Sequence, residues 1–156
     1  MIPAKVKKFL EKTKIKYEIL EHKTVYTAVD KSSTLHVPAK QVGKTLVVKL
    51  DSKLGIVLIP ADRNLDKNKL KKVAKAKKID FVSERVIKNK LKGVKVGAVP
   101  PLGSLWKLPT FVDRALMNNP KIIINAGLPT LSLRLTPSAY RALLPDLIIG
   151  SFSKKK

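Results

Sequence analysis

Cysteine is absent from this 156-residue chain, and acidic residues are scarce. The first absence excludes disulfides, thiolate-bound zinc and cysteine nucleophiles together. Histidine is nearly absent as well: His22 and His36 are the whole complement. Their spacing is not that of a zinc site, which would need carboxylates from elsewhere, so no metal and no cofactor is expected. A serine triad lacks its parts too. No Gly-x-Ser-x-Gly elbow occurs, and Ser104 has only those two histidines to draw on. No apolar run approaches 18 residues, so a membrane span is not expected. The segment Met1-Ile2-Pro3-Ala4-Lys5 has no apolar h-region of a signal peptide. The expected location is therefore the cytoplasm.

The shortage of acids leaves 11 of them against 33 lysines and arginines, a formal net charge of +22. The excess is spread evenly. Residues 1–84 carry 20 bases and 9 acids, and residues 85–156 carry 13 and 2. This is not a basic tail on a neutral domain. Such a charge attracts a polyanion: RNA, DNA and anionic membranes all fit it, and nucleic acid is favoured over a merely solvated surface. A solvated lysine surface in a heat-adapted protein gives a similar composition, with its single glutamine at Gln41. Hydrophobic residues at 44% exclude disorder. No repeat and no Gly/Ser linker divides the chain, so one domain over residues 1–156 is expected.

The local patterns describe an α/β fold. Pro3 opens a helix with Val6, Phe9 and Leu10 inward. Tyr17 to Leu20 alternates like a strand. Thr27 and Asp30 mark the start of a second helix. Leu46–Leu50 and Ile56–Ile59 form a hairpin around Asp51-Ser52-Lys53-Leu54-Gly55. Asp66 caps a helix expected to reach Lys78, with Lys67, Lys71, Lys75 and Lys78 as a basic stripe. A short helix follows Ser83. Strands are expected at 109–113, 121–125 and 131–135, a helix from Pro137 to Leu144, and a last strand at 147–149. Together they predict a single compact domain with a mixed, mostly antiparallel sheet surrounded by helices.

Two segments carry the chemistry. Gly97-Ala98-Val99-Pro100-Pro101-Leu102-Gly103 is a stiff bend, because adjacent prolines fix φ and remove two N–H donors. Its remaining amides point in defined directions and suit an oxyanion or a phosphate. Gln41-Val42-Gly43-Lys44-Thr45 puts a lysine at the mouth of an apolar strand, where partial desolvation strengthens its charge. The Gly43-Lys44-Thr45 triplet is not a P-loop. Pro38 stands where that loop needs glycine, and a strand follows rather than a helix.

These two segments occur in order with Leu108-Pro109-Thr110-Phe111-Val112-Asp113 and Ile122-Ile123-Ile124-Asn125-Ala126-Gly127. The set resembles the YbaK family, the prolyl-tRNA-synthetase-associated editing domains, from near Pro3 to near Tyr140. That resemblance implies the YbaK-like fold and an aminoacyl-tRNA deacylase, which hydrolyses the ester of a mischarged tRNA. It implies Lys44 as the residue required for deacylation. Amides at Leu102 and Gly103 then stabilise the oxyanion, and the substrate's 2′-OH positions the water. Gly97, Pro101, Asp113, Asn125, Gly127, Tyr26, Thr27 and His22 are the expected substrate-binding residues. The partner is tRNA, most often that for proline carrying alanine or cysteine, with transient contact to a synthetase. The basic stripe would carry the acceptor stem, and the chain would act in trans. Two other functions fit the same composition: a noncatalytic RNA-binding module, and a small-molecule hydrolase or amino-acid sensor.

Overall fold

The computed structural model describes residues 2–156. Pro3 fixes φ ahead of α1 (Ala4–Lys12), whose Val6 and Leu10 lie four apart and are buried. Each such side chain contributes about 1.5–3 kcal/mol by leaving water. β1 (Glu18–Glu21) leads to α2 (Ala28–Leu35), where the Thr27 hydroxyl accepts from the Asp30 amide at 3.0 Å. β2 (Gly43–Leu50) and β3 (Lys53–Pro60) pair antiparallel from Gly43↔Pro60 to Leu50↔Lys53. Their turn is Asp51-Ser52, shorter than the five-residue loop expected, because Asp51 takes a left-handed conformation at φ 57°.

β4 (Arg63–Leu65), α3 (Lys67–Ala74), β5 (Ile79–Phe81) and α4 (Glu84–Lys90) follow. After the glycine-proline bend come β6 (Thr110–Asp113), α5 (Arg114–Met117), β7 (Ile122–Asn125) and β8 (Leu131–Leu135). α6 (Pro137–Leu143), β9 (Ile148–Gly150) and β10 (Ser153–Lys155) complete the chain.

The expected mixed, mostly antiparallel α/β fold is present, divided into three ladders rather than one sheet. The largest runs β5-β2-β3-β6-β9, with β3-β6 and β6-β9 parallel. A second runs β1-β8-β7, and β10 pairs with β4. A single parallel bridge, Val42 to Ile123, joins the first two where β2 begins beside β7. No helix among the described residues is long and apolar enough to cross a membrane.

α3 stops at Ala74, four residues short of the expected Lys78. Lys75 turns left-handed at φ 57°, and the Asp51 carboxylate accepts the amides of Lys77 and Lys78 at 3.0 and 2.9 Å. A fixed acceptor outside the helix thus draws the chain away from helical register. Lys67 and Lys71 keep the helical basic stripe; Lys75 and Lys78 do not lie on it.

Asp113 closes the carboxyl-terminal end. It is 2% exposed. Its Oδ1 accepts from the amides of Phe152 and Ser153 at 2.8 and 3.1 Å, and its Oδ2 from Ser153 Oγ at 2.8 Å and the Ala115 amide at 3.2 Å. Asp113→Ala leaves these buried donors unpaired, at about 3 kcal/mol or more. The expected result is an earlier denaturant midpoint and faster amide exchange in β10 and β4. Unchanged exchange there would show that β10 is held by something else.

Candidate functional site

The seam between β2 and β7 is roofed by α2. Val42, Ala61 and Ile123 form an apolar cluster with Leu20, Ala28 and Leu35 packed on it. Where this cluster ends, polar residues begin, and a cavity of about 200 Å³ opens. Its wall includes Thr27, Lys31, Lys44, Thr45, Gly97 and Asn125. That is smaller than the roughly 300–1,000 Å³ of drug-sized sites, and it suits one small side chain. Two lysines and no carboxylate line it. The first-turn amides of α2, beside Thr27 and Ala28, add positive potential at the same wall.

Lys44 is half-buried at the start of β2, and its Nζ donates to the Arg63 carbonyl at 2.9 Å. Burial, and then the positive charge of Lys156, hold its ammonium below the usual lysine range. It is a pinned, poorly solvated cation on a rigid strand.

Lys31 is 4% exposed, and burial lowers its pKa to about 8. Its Nζ donates to Asn125 Oδ1 at 2.5 Å. Asn125 Nδ2 in turn donates to the Val99 carbonyl at 3.1 Å and to Thr45 Oγ1 at 3.5 Å. A carbonyl only accepts, so this contact orients the amide with its oxygen toward Lys31. Lys31 and Thr45 were not singled out from the sequence. The signal for Lys31 was its phase: it falls on the helical stripe with Ala28 and Leu35, the inward face of α2.

The glycine-proline bend reaches the cavity at its first end only. Gly97 lines it, and a Cβ there would meet nothing within 4 Å. Pro101, Leu102 and Gly103 are buried outside the lining. The Leu102 amide donates to the Pro100 carbonyl at 2.8 Å, and the Gly103 amide to Thr110 Oγ1 at 2.9 Å. Both expected oxyanion donors are therefore occupied internally in this structure. A Cβ on Gly103 would lie 2.4 Å from the Leu108 carbonyl oxygen, so its glycine serves this close backbone approach. Pro101 accepts from the Tyr140 hydroxyl at 2.6 Å, which anchors the bend to α6.

Tyr26, 76% exposed, and Thr27, the helix cap, line the cavity wall. His22 does not line it. Its Nδ1 lies 2.8 Å from the Lys23 carbonyl and its Nε2 2.9 Å from Ser132 Oγ. Gly127, at φ 100°, supports the bend by donating to the Ala98 carbonyl at 2.9 Å. Asp113 lies outside the lining, bonded as described above. Lys67 sits 4.6 Å from the Phe81 ring centre, and Lys78 Nζ 3.7 Å from Asp80. Among the described residues no three histidine, aspartate or glutamate side chains gather into a metal-binding group.

The low pKa of Lys31 has a measurable sign. The folded ammonium loses its proton near pH 8, and the unfolded one near the ordinary value of 10.5. Between these values the unfolded chain binds more protons, so stability rises with pH across that window. The stability of the parent minus that of Lys31→Met should grow by up to about 3 kcal/mol from pH 8 to 10.5, read from urea melts. A flat difference would mean that Lys31 titrates normally.

Comparison with known proteins agrees with this architecture. The model of the aminoacyl-tRNA editing domain matches residues 22–143. A proline–tRNA ligase from Bacillus mycoides is 31% identical over 85 residues, which are 54% of this chain and 15% of that ligase. The chain thus matches only a small part of that enzyme. The crystal structure of the hypothetical protein APE2540 superposes with a TM-score of 0.84 at 22% identity, covering 96% of this chain and 99% of the other. A structure provisionally described as a trans-editing enzyme for prolyl-tRNA synthetase gives 0.81 at 22% identity, covering 96% and 95%. At this identity the two structures establish a shared fold. The family match spans most of the chain, which belongs to the aminoacyl-tRNA editing domain family.

Proposed function

We propose that this protein is a trans-acting aminoacyl-tRNA deacylase. The observation that carries the proposal is Lys44: a pinned, half-buried cation at the wall of a small cavity without carboxylates, in a chain of the editing-domain family. In this mechanism the amino-acid side chain enters the cavity and the terminal ribose stays at its mouth. Water attacks the ester carbonyl, and negative charge develops on the carbonyl oxygen. The Lys44 ammonium stabilises that charge and holds the substrate in place. The vicinal 2′-OH of the substrate positions the water, and the bond to the 3′ oxygen breaks. The products are the free amino acid and a tRNA with its 3′-OH restored.

Small wrong residues such as alanine or cysteine suit the cavity by size, and tRNA for proline is the proposed carrier. The proline–tRNA ligase likeness supports that choice and a transient contact with the synthetase. Hydrolysis of this tRNA charged with a small amino acid is the test. Lys44→Ala should lower kcat by about 10²–10³-fold, with KM for the tRNA changed only a few-fold. Parental rates in that variant would remove Lys44 from the reaction. tRNA binding without turnover by the parent would instead indicate a noncatalytic RNA-binding module.

The net charge of +22 predicts strong salt dependence of tRNA binding. Each lysine that neutralises a phosphate of a duplex stem contributes about 0.9 to the slope of log affinity against log salt. Lys67→Ala with Lys71→Ala should reduce that slope by roughly 1.8 if α3 carries the acceptor stem. An unchanged slope would exclude α3 from the interface.

A further inference from the structure

Lys31 differs from the other lysines in having left solvent. A lysine is almost never fully buried without a partner, and this one has a neutral partner, Asn125 Oδ1. An ammonium carries three donors. One is held by Asn125, and the other two have no protein acceptor among the described residues. The cavity wall is mixed: Val25, Ala28, Ala98, Leu128 and Pro129 are apolar, and Thr27, Thr45 and Lys44 are polar, with no carboxylate among them. A buried donor-rich group in a cavity without a carboxylate makes the cavity selective, because an occupant without an acceptor leaves those donors unpaired.

The Asn125 amide is fixed on its far side by Val99 and Thr45, so the Lys31 headgroup is held in position rather than free to swing out. Resting on the deacylase reading above, we infer that Lys31 is a specificity residue that receives an oxygen acceptor at the end of a small acyl side chain. The acceptor is a hydroxyl or a carboxylate. Seryl or aspartyl esters are then cleaved in preference to alanyl and cysteinyl esters, which fit by size but leave the ammonium without a partner. Discrimination of this kind exceeds what an apolar pocket achieves by volume alone, because it depends on a buried polar group being paired.

The experiment uses the full chain and one tRNA for proline, charged separately with serine, aspartate, alanine and cysteine. For the parent, kcat/KM on the seryl or the aspartyl ester should exceed that on the alanyl ester by about tenfold or more. A faster seryl arm alone identifies a hydroxyl as the ligand, and a faster aspartyl arm alone identifies an ion pair. In Lys31→Met the ranking should collapse to within about twofold. Lys31→Gln, which keeps a donor and removes the charge, should retain the seryl preference and lose any aspartyl one. If Lys31→Met fails to fold, the parent's ranking and Lys31→Gln still decide. Alanyl and cysteinyl esters cleaved as fast as both others, or a ranking that survives in Lys31→Met, would overturn the inference while leaving the deacylase intact. No turnover of any of the four would overturn the deacylase and this inference with it.

Discussion

Where β2 starts beside β7, the chain makes one parallel bridge, Val42 to Ile123, and the rest of the site depends on it. The bridge joins two ladders that otherwise share no hydrogen-bonded strand. Beneath α2 the join is apolar, with Val42, Ala61 and Ile123 packed against Ala28 and Leu35. Two residues further along each strand the side chains become polar, and Lys44 and Asn125 stand there. The strands are fixed by packing just before they present chemistry. This is how a stiff scaffold holds a cation without a partner carboxylate.

The distribution of acids explains why so much positive charge remains. Asp51, Asp66 and Asp113 are committed to backbone amides, at the β2–β3 turn, the start of α3 and the β9–β10 turn. They build the fold rather than neutralise lysines. The ion pairs among the described residues are exposed, such as Arg134 with Glu18 at 2.6 Å, and pairs of that kind add little stability. The surplus charge therefore persists on the surface and into the cavity, which two lysines and no carboxylate line.

Most elements were legible in the chain because their signals are local. Pro3, Thr27, Asp66, Ser83 and Thr136 each stand at a helix start, three or four residues from the groups they serve. Alternation and apolar runs located β2, β3, β6, β7 and β8. The misjudged boundary at Lys78 was a distant effect: Asp51, 27 residues away, takes the amide of Lys78. β4 and β10 are three-residue strands that pair only with each other, across a separation no local pattern records.

The candidate site was legible in part, and the division has a physical cause. Lys44 was conspicuous by itself, as a lysine entering an apolar strand, whereas Gly97, Asn125, Tyr26 and Thr27 were implied as substrate-binding residues by the family resemblance. Which end of the glycine-proline bend meets the cavity depends on where β6 and α6 draw its amides and carbonyls, through Thr110 and Tyr140. That Lys31 leaves solvent depends on α2 lying over the β2–β7 seam. Sequence by itself determined the charge, the helix caps, the longer strands and the family, but not the three-residue strands β4, β5 and β10. Tertiary structure alone decided which cations lose their water, because desolvation is a property of what surrounds a group and not of the residues beside it in the chain.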